Sequence, residues 1–348
     1  MPPRPLDGAV RMRALAASLP DSLVAGYRSG LELARPLPGD DLRFVAVGMG
    51  GSGIAADLAR GVVESESRAT LSVVRSPDLP RSVDGRTEVL ITSYSGNTWE
   101  TLVAYDAAGR AGARRIVLAS GGTLLERAEA DGVPVLVLPP GIPPRTAVGH
   151  MLGGILGILD SAFPESLETR IHGAAEGTRT RIQEYSRGRG PAATLARRIG
   201  SRLPFVYAEQ SFGSLARRWK TQFEENAKRL AVFDEVPELF HNAIVGWDAL
   251  SRADARKFLA VLLEWSGESP SVRKSFRYLE RLLTAKGMPV ARVPLAAEDR
   301  LEALVGGIAF GDAVSLFLAE RERVDPYPVD AITRLKTAIG NPAEPPRP

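Results

Sequence analysis

The chain has 348 residues, 44% of them hydrophobic, and its 34 Gly and 26 Pro follow no collagen period, so fibrous and largely disordered architectures are excluded. Lys and Arg number 44 against 41 Asp and Glu, and a net charge of +3 over this length is too small for a dedicated nucleic-acid binder. With no Cys and three His (His150, His172, His241), disulfides and thiolate chemistry are excluded and a multi-His metal centre is not expected.

Residues 1–15 contain no apolar core of the kind a secretory signal needs, and the longest apolar run, 151–159, is about half of what a bilayer requires. A cytoplasmic chain without a membrane span is the expectation. From residue 43 onward, short β-rich runs alternate with helical patterns. Strands are expected at 43–48, 71–74, 88–93, 115–120 and 134–138, with helices at 54–63, 98–112, 124–130 and 146–160. Runs that are apolar on both faces suit a parallel sheet buried between helices, hence a doubly wound α/β layer.

The strands stop around 163–202. Seven arginines lie in 179–202, with Glu184 as the only acid, and Gly188-Arg-Gly-Pro191 marks a break. We read this stretch as a solvated helix and loop between domains rather than a nucleic-acid patch. A second α/β unit follows, with strands expected at 205–208, 258–263 and 290–295 and helices at 214–229, 271–286 and 298–323. It repeats the arrangement of the first, so two similar α-β-α sandwiches with parallel sheets are expected, divided as 1–162 and 163–348.

Two turns in the first unit suit an anion. Gly48-Met-Gly50-Gly51-Ser52-Gly53 has the G-x-G-x-x-G spacing and opens a helix, whose first amides favour negative charge. A dinucleotide reading wants an acid at the end of the next strand, but Arg75 stands there, which suits a 2′-phosphate at best. The third strand ends in Ser93-Tyr94-Ser95-Gly96-Asn97-Thr98, again at a helix start. One helix cap needs one hydroxyl and this turn supplies three, so a compact phosphate held by Gly50, Gly51, Ser52, Ser93, Ser95 and Thr98 is expected.

These two turns together resemble the sugar isomerase (SIS) domain. The resemblance continues through Gln222-Phe-Glu-Glu225-Asn-Ala-Lys228, Pro237-Glu-Leu-Phe-His241-Asn242, Gly246-Trp247, Pro144-Arg145, Asp325-Pro326 and Lys336. Over nearly the whole chain it is similar to the bifunctional phosphoglucose/phosphomannose isomerase family. That resemblance implies two SIS domains, a sugar 6-phosphate substrate, neither metal nor organic cofactor, and aldose–ketose interconversion through an enediolate. It implies Glu225 as the base, His241 in ring opening, Arg145 beside the enediolate and Lys336 near the sugar. It also implies a homodimer in which the histidine enters the partner's site, with no nucleic-acid or membrane partner.

The residues by themselves leave these roles open. Glu225 lies off the apolar stripe of Trp219, Phe223, Ala227 and Leu230, and a surface acid beside a Glu224–Lys228 pair is the plainer reading. His241 has the neutral-range basicity that proton transfer to a ring oxygen needs, whereas His150 and His172 read as structural. Arg145 follows the fifth strand and is placed to reach the same crevice, or to be an exposed loop residue. Lys336 in a helix over 329–339 suits a helix C-terminus equally well. Tyr327, if it stands where dual-specific relatives carry a small Thr, would crowd C2 and disfavour mannose 6-phosphate. Two other functions compete: a non-catalytic SIS sensor of sugar phosphate, and an NADP-dependent oxidoreductase built on the glycine turn and Arg75.

Overall fold

A computed structural model describes residues 5–35 and 42–339. The chain forms two compact units, Leu19–His172 with Val329–Pro348, and Met1–Ser18 with Gly173–Pro328. The division thus falls after residue 172 rather than 162, and each unit takes its terminal segment from the far end of the chain.

The first unit is built on β1 (Arg43–Gly48), β2 (Thr70–Val74), β3 (Thr87–Thr92), β4 (Arg114–Ala119) and β5 (Val135–Val137), all parallel, in the order β2-β1-β3-β4-β5. Strand order reverses at β1, between β2 and β3, and the register sets Gly48 opposite Thr92. The carboxyl ends of β1 and β3 therefore flank a topological switch point, where open α/β sheets bind ligands. Val45, Val47, Val89, Ile91 and Val117 pack on Tyr105 and Leu124 from the helices covering one face, and the alternate residues Phe44, Ala46, Leu90, Ile116 and Leu118 are buried as well, so the strands are apolar on both sides.

The apolar run at 151–159 belongs to helix Val148–Ile158, which packs on Leu19–Leu33, a helix absent from the expected elements. Gly26, Gly30, Gly153 and Gly157 each sit where a Cβ would come within 2.2 Å of a carbonyl oxygen of the opposing helix. Glycine is required there by close backbone approach. Tyr27 from the same face donates to Asp160 at 2.6 Å.

The second unit has β6 (Leu203–Glu209), β7 (Val232–Val236), β8 (Phe258–Trp265) and β9 (Val290–Leu295), parallel, in the order β7-β6-β8-β9. β7 was not expected: its sequence, Val-Phe-Asp-Glu-Val, is short, half-polar and at the sheet edge. The order repeats that of β2-β1-β3-β4. Helix Arg300–Glu322 is long and apolar enough by composition to cross a membrane, but 83% of its apolar window is buried within the unit. It packs on helix Gly213–Ala227, where Trp219 Nε1 donates to the Gly307 carbonyl at 3.0 Å and Arg218 grips Asp312 with two 2.9 Å contacts.

The arginine-rich stretch is no linker. It runs through helices Glu168–Tyr185 and Pro191–Ile199 of the second unit, where Arg181 pairs with Glu302 at 2.7 Å and Arg198 donates to the Val290 carbonyl.

Candidate active site

The glycine turn leaves β1 at Gly48, and Met49 takes an extended conformation ahead of helix Gly50–Glu66. Gly50 sits at φ +50°, in the left-handed region that a side chain disfavours. A Cβ on Gly53 would lie 2.4 Å from the Gly48 carbonyl oxygen, so that glycine lets the helix close on its own strand. A Cβ on Gly51 would lie 3.1 Å from the backbone nitrogen of Arg145. The 3-10 turn Pro144–Ala147 therefore leans directly on the glycine turn, and Arg145 in it is only 2% exposed. The exposed-loop reading of Arg145 is thereby corrected; few arginines are so deeply enclosed.

The second turn lies alongside. The Tyr94 amide donates to Ser52 Oγ at 3.1 Å, which fastens the two turns to each other. Ser93 is buried, and its Oγ has no hydrogen-bond partner among the described residues. Ser95 is exposed, and its hydroxyl accepts from the Asn97 amide at 3.3 Å. Thr98 occupies the cap position of helix Trp99–Arg110, yet its side chain makes no capping bond. Simple helix capping therefore does not account for these hydroxyls. Gly50, Gly51, Ser52, Ser93, Ser95, Thr98 and Arg145 are gathered at one end of one sheet, and the two turns contain no carboxylate.

Tyr94 was missed by the sequence reading, being an aromatic among hydroxyls with no periodic signal. Its hydroxyl donates to the Pro139 carbonyl at 2.7 Å and accepts from the Ile142 amide at 3.0 Å. It thus holds the loop that delivers Arg145. Asn97 accepts from the Thr123 amide at 3.0 Å and ties the turn to the next crossover. Arg75 forms an ion pair with buried Asp57 on the glycine-turn helix, so it is engaged by the fold. The NADP reading loses the residue it was built on.

Glu225 and His241 belong to the second unit. Glu225 is half-buried in the last turn of helix Gly213–Ala227. The following Asn226 is buried and donates to Ser315 Oγ at 2.9 Å. Lys228 ends the helix at φ +55°, and its Nζ donates to the carbonyls of Glu225 and Pro328 at 2.6 and 2.7 Å. Glu224 pairs with Lys220 at 2.7 Å, not with Lys228 as expected, because the chain leaves the helix before Lys228. Leu230 likewise lies beyond the helix and is 75% exposed, so it is no part of the apolar stripe.

His241 ends the 3-10 turn Glu238–His241 and is exposed. His150 is half-buried with its basicity lowered by burial, and His172 is an exposed helix residue. Lys336 is on helix Asp330–Ile339, but its side chain lies outside the described residues. Tyr327 lies under the Arg11 guanidinium, 4.4 Å from the ring centre.

The second sheet has its own crevice between the ends of β6 and β8, with different occupants. Ser211 donates to the Glu209 carboxylate through its amide at 2.9 Å and through its hydroxyl, and Arg300 donates to that hydroxyl. Glu268, buried, accepts from the Trp265 amide at 3.0 Å. Burial pushes its carboxyl up to about 7, with Glu264 and Glu209 adding to the rise against the Trp265 amide and Arg273.

Residues 189–339 match the family described as the bacterial phospho-glucose isomerase C-terminal SIS domain. The chain is 31% identical over 330 residues to a bifunctional phosphoglucose/phosphomannose isomerase of Caldicellulosiruptor bescii, covering 92% of this chain and 97% of that one. It is 32% identical over 298 residues to the protein of that name from Aquifex aeolicus, with 85% and 90% covered. A D-glucosamine-6-phosphate 4-epimerase of Sulfolobus acidocaldarius is 30% identical over 237 residues, covering 66% of this chain and 72% of that one. Among solved structures, a hypothetical protein of Thermus thermophilus superposes with a TM-score of 0.72 at 16% identity, covering 96% of this chain and 93% of that one. The tagatose-6-phosphate ketose/aldose isomerase of Escherichia coli gives 0.66 at 15% identity, covering 90% and 93%. The two structures attest the fold alone.

Proposed function

The chain belongs to the bifunctional phosphoglucose/phosphomannose isomerase family, and on that premise we propose that it interconverts glucose 6-phosphate and mannose 6-phosphate with fructose 6-phosphate. The observation that carries the substrate assignment is the 93–98 turn. It opens a helix, fronts the sheet's switch point, and has a cap hydroxyl that caps nothing. A phosphate dianion there meets hydroxyl donors and the positive end of the helix. Gly50, Gly51 and Ser52 complete the cradle from the neighbouring turn.

For the chemistry we assign Glu225 as base. It takes the C2 proton of the open-chain aldose; the electron pair forms the C1=C2 bond, and the carbonyl oxygen becomes the enediolate oxygen. Return of the proton to C1, with a proton passed from O2 to O1, gives the ketose. Mannose 6-phosphate differs only at C2 and reaches the same intermediate. Arg145, enclosed and permanently charged, supports the enediolate. His241 moves a proton at the ring oxygen, and Lys336 assists near the sugar. No step calls for a cofactor or metal. A cytoplasmic homodimer with shared sites is part of the proposal; the exposure of His241 supports its acting on a partner's substrate.

The test is a coupled assay of fructose 6-phosphate conversion, with both aldose phosphates measured and EDTA present. Turnover of either sugar that survives EDTA is expected. Activity that disappears with EDTA and returns with a divalent ion removes the metal-free scheme, and turnover of neither sugar favours the sensor. Mixing Glu225→Gln with His241→Ala protein is expected to restore activity if the histidine crosses between subunits.

A further inference from the structure

Helix Pro270–Lys286 presents two unlike stripes. Phe276, Leu279 and Leu283 face the core of the second unit and are buried. Lys274, Arg277, Tyr278 and Arg281 follow the i, i+3, i+4, i+7 pattern of a single opposite face. With Phe240 and Ser275 they line an open groove of about 390 Å³. None of its three cations forms an ion pair among the described residues. The acids on the same two elements turn elsewhere: Glu238 accepts from Asn242 at 2.9 Å, and Glu280 lies 3.9 Å from Arg292.

We propose that this groove binds a polyphosphate chain, either inorganic or carried by a nucleoside. Seven residues of helix place the outer cations about 10 Å apart along the axis. A single phosphate is too small to meet all three, whereas linked phosphates span the row. Gathering three like charges without a carboxylate raises the local potential, and an anion with several charges relieves it. Tyr278 is 53% exposed and meets Phe240 edge to face, with ring centres 6.4 Å apart. An aromatic face so presented suits stacking of a base at one end of the chain of phosphates. The groove shares no residue with the proposed phosphate cradle, which is built from the other unit.

Calorimetric titration of the intact protein with tripolyphosphate and with ATP, magnesium absent, tests this. Both are expected to bind with Kd below about 1 mM at low salt, weakening several-fold at 0.3 M salt as exposed charges are screened. Arg277→Glu with Arg281→Glu is expected to lose at least tenfold for both ligands. Lys274→Gln with Arg277→Gln, which avoids charge reversal, is expected to lose a smaller factor. Tyr278→Ala separates the sources: loss for ATP alone identifies a nucleotide site, and no change identifies a site for the bare phosphate chain. The proposal is overturned if neither ligand binds, if both groove variants bind as the wild type does, or if Ser95→Ala abolishes binding while the groove variants retain it. Thermal melts check that the variants are folded.

Discussion

The two sheets share one strand order and opposite crevices. Ser95-Gly96-Asn97-Thr98 precedes the helix that starts at Trp99, and Ser266-Gly267-Glu268-Ser269 precedes the helix that starts at Pro270. In the first, Asn97 bridges outward to Thr123, and Ser93 and Thr98 keep hydroxyls that no capping bond uses. In the second, Ser211 already holds the Glu209 carboxylate, and Glu268 folds back on Trp265. The same topology forms a crevice twice; the first is the proposed anion site, and the second holds the chain's own acids. Fold sets where a ligand is held; the side chains at the strand ends decide whether one is.

The largest effect expected is from Glu225→Gln, which tests whether the second unit supplies the proton chemistry. Turnover should fall on the order of 100-fold or more, the scale of losing a general base, with KM much less affected. Steady-state kinetics decide, and near-wild-type kcat removes Glu225 from the mechanism. Ser95→Ala with Thr98→Ala tests the first crevice. Two hydrogen bonds to a charged phosphate are worth about 1.5–3 kcal/mol each, so KM should rise at least tenfold, with some loss of kcat allowed because remote binding energy also serves the transition state. Unchanged KM would discredit the cradle.

Glu268→Gln tests the second crevice and should leave catalysis alone. Its carboxyl is raised to about 7 in the folded chain, above the ordinary value of about 4.3. A raised acid costs nothing below its unfolded pKa; the cost grows through the window between the two values and is complete above about 7. It amounts to at most about 4 kcal/mol. The wild type should therefore melt higher at pH 5 than at pH 8, and Glu268→Gln should flatten that dependence and raise the melting temperature at pH 8. An unchanged pH profile contradicts the buried-acid picture. The smallest effect concerns Tyr327. If its ring limits rotation about C2–C3, mannose 6-phosphate is the slower substrate, and Tyr327→Thr raises its kcat/KM relative to glucose 6-phosphate by a few-fold. Mannose turned over faster by the wild type would sink the crowding argument.

Much of this was legible in the residues. Runs such as Phe44-Val-Ala-Val47 and Val89-Leu-Ile91 admit little but buried parallel strands, because both faces are apolar. The glycine and hydroxyl turns carry the local features the proposed anion site needs, and the resemblance around Glu225-Asn-Ala-Lys228 pointed to the family to which the chain belongs. β7 and helix Leu19–Leu33 were not legible. One is a half-polar edge strand, and the other is fixed by glycines of a partner helix far along the chain.

Local pattern by itself thus determined most of the elements, the likeness of the two halves and the position of the glycine and hydroxyl turns at the ends of β1 and β3, since each depends on neighbours in sequence. Tertiary structure alone decided three things. Arg75 is held by Asp57, Arg145 is enclosed against Gly51, and Arg300 is brought against Ser211 in the second crevice. Each is a contact between segments well separated in the chain. The pairing and burial of a charge are set by whichever segment folds against it, and no local pattern carries that information.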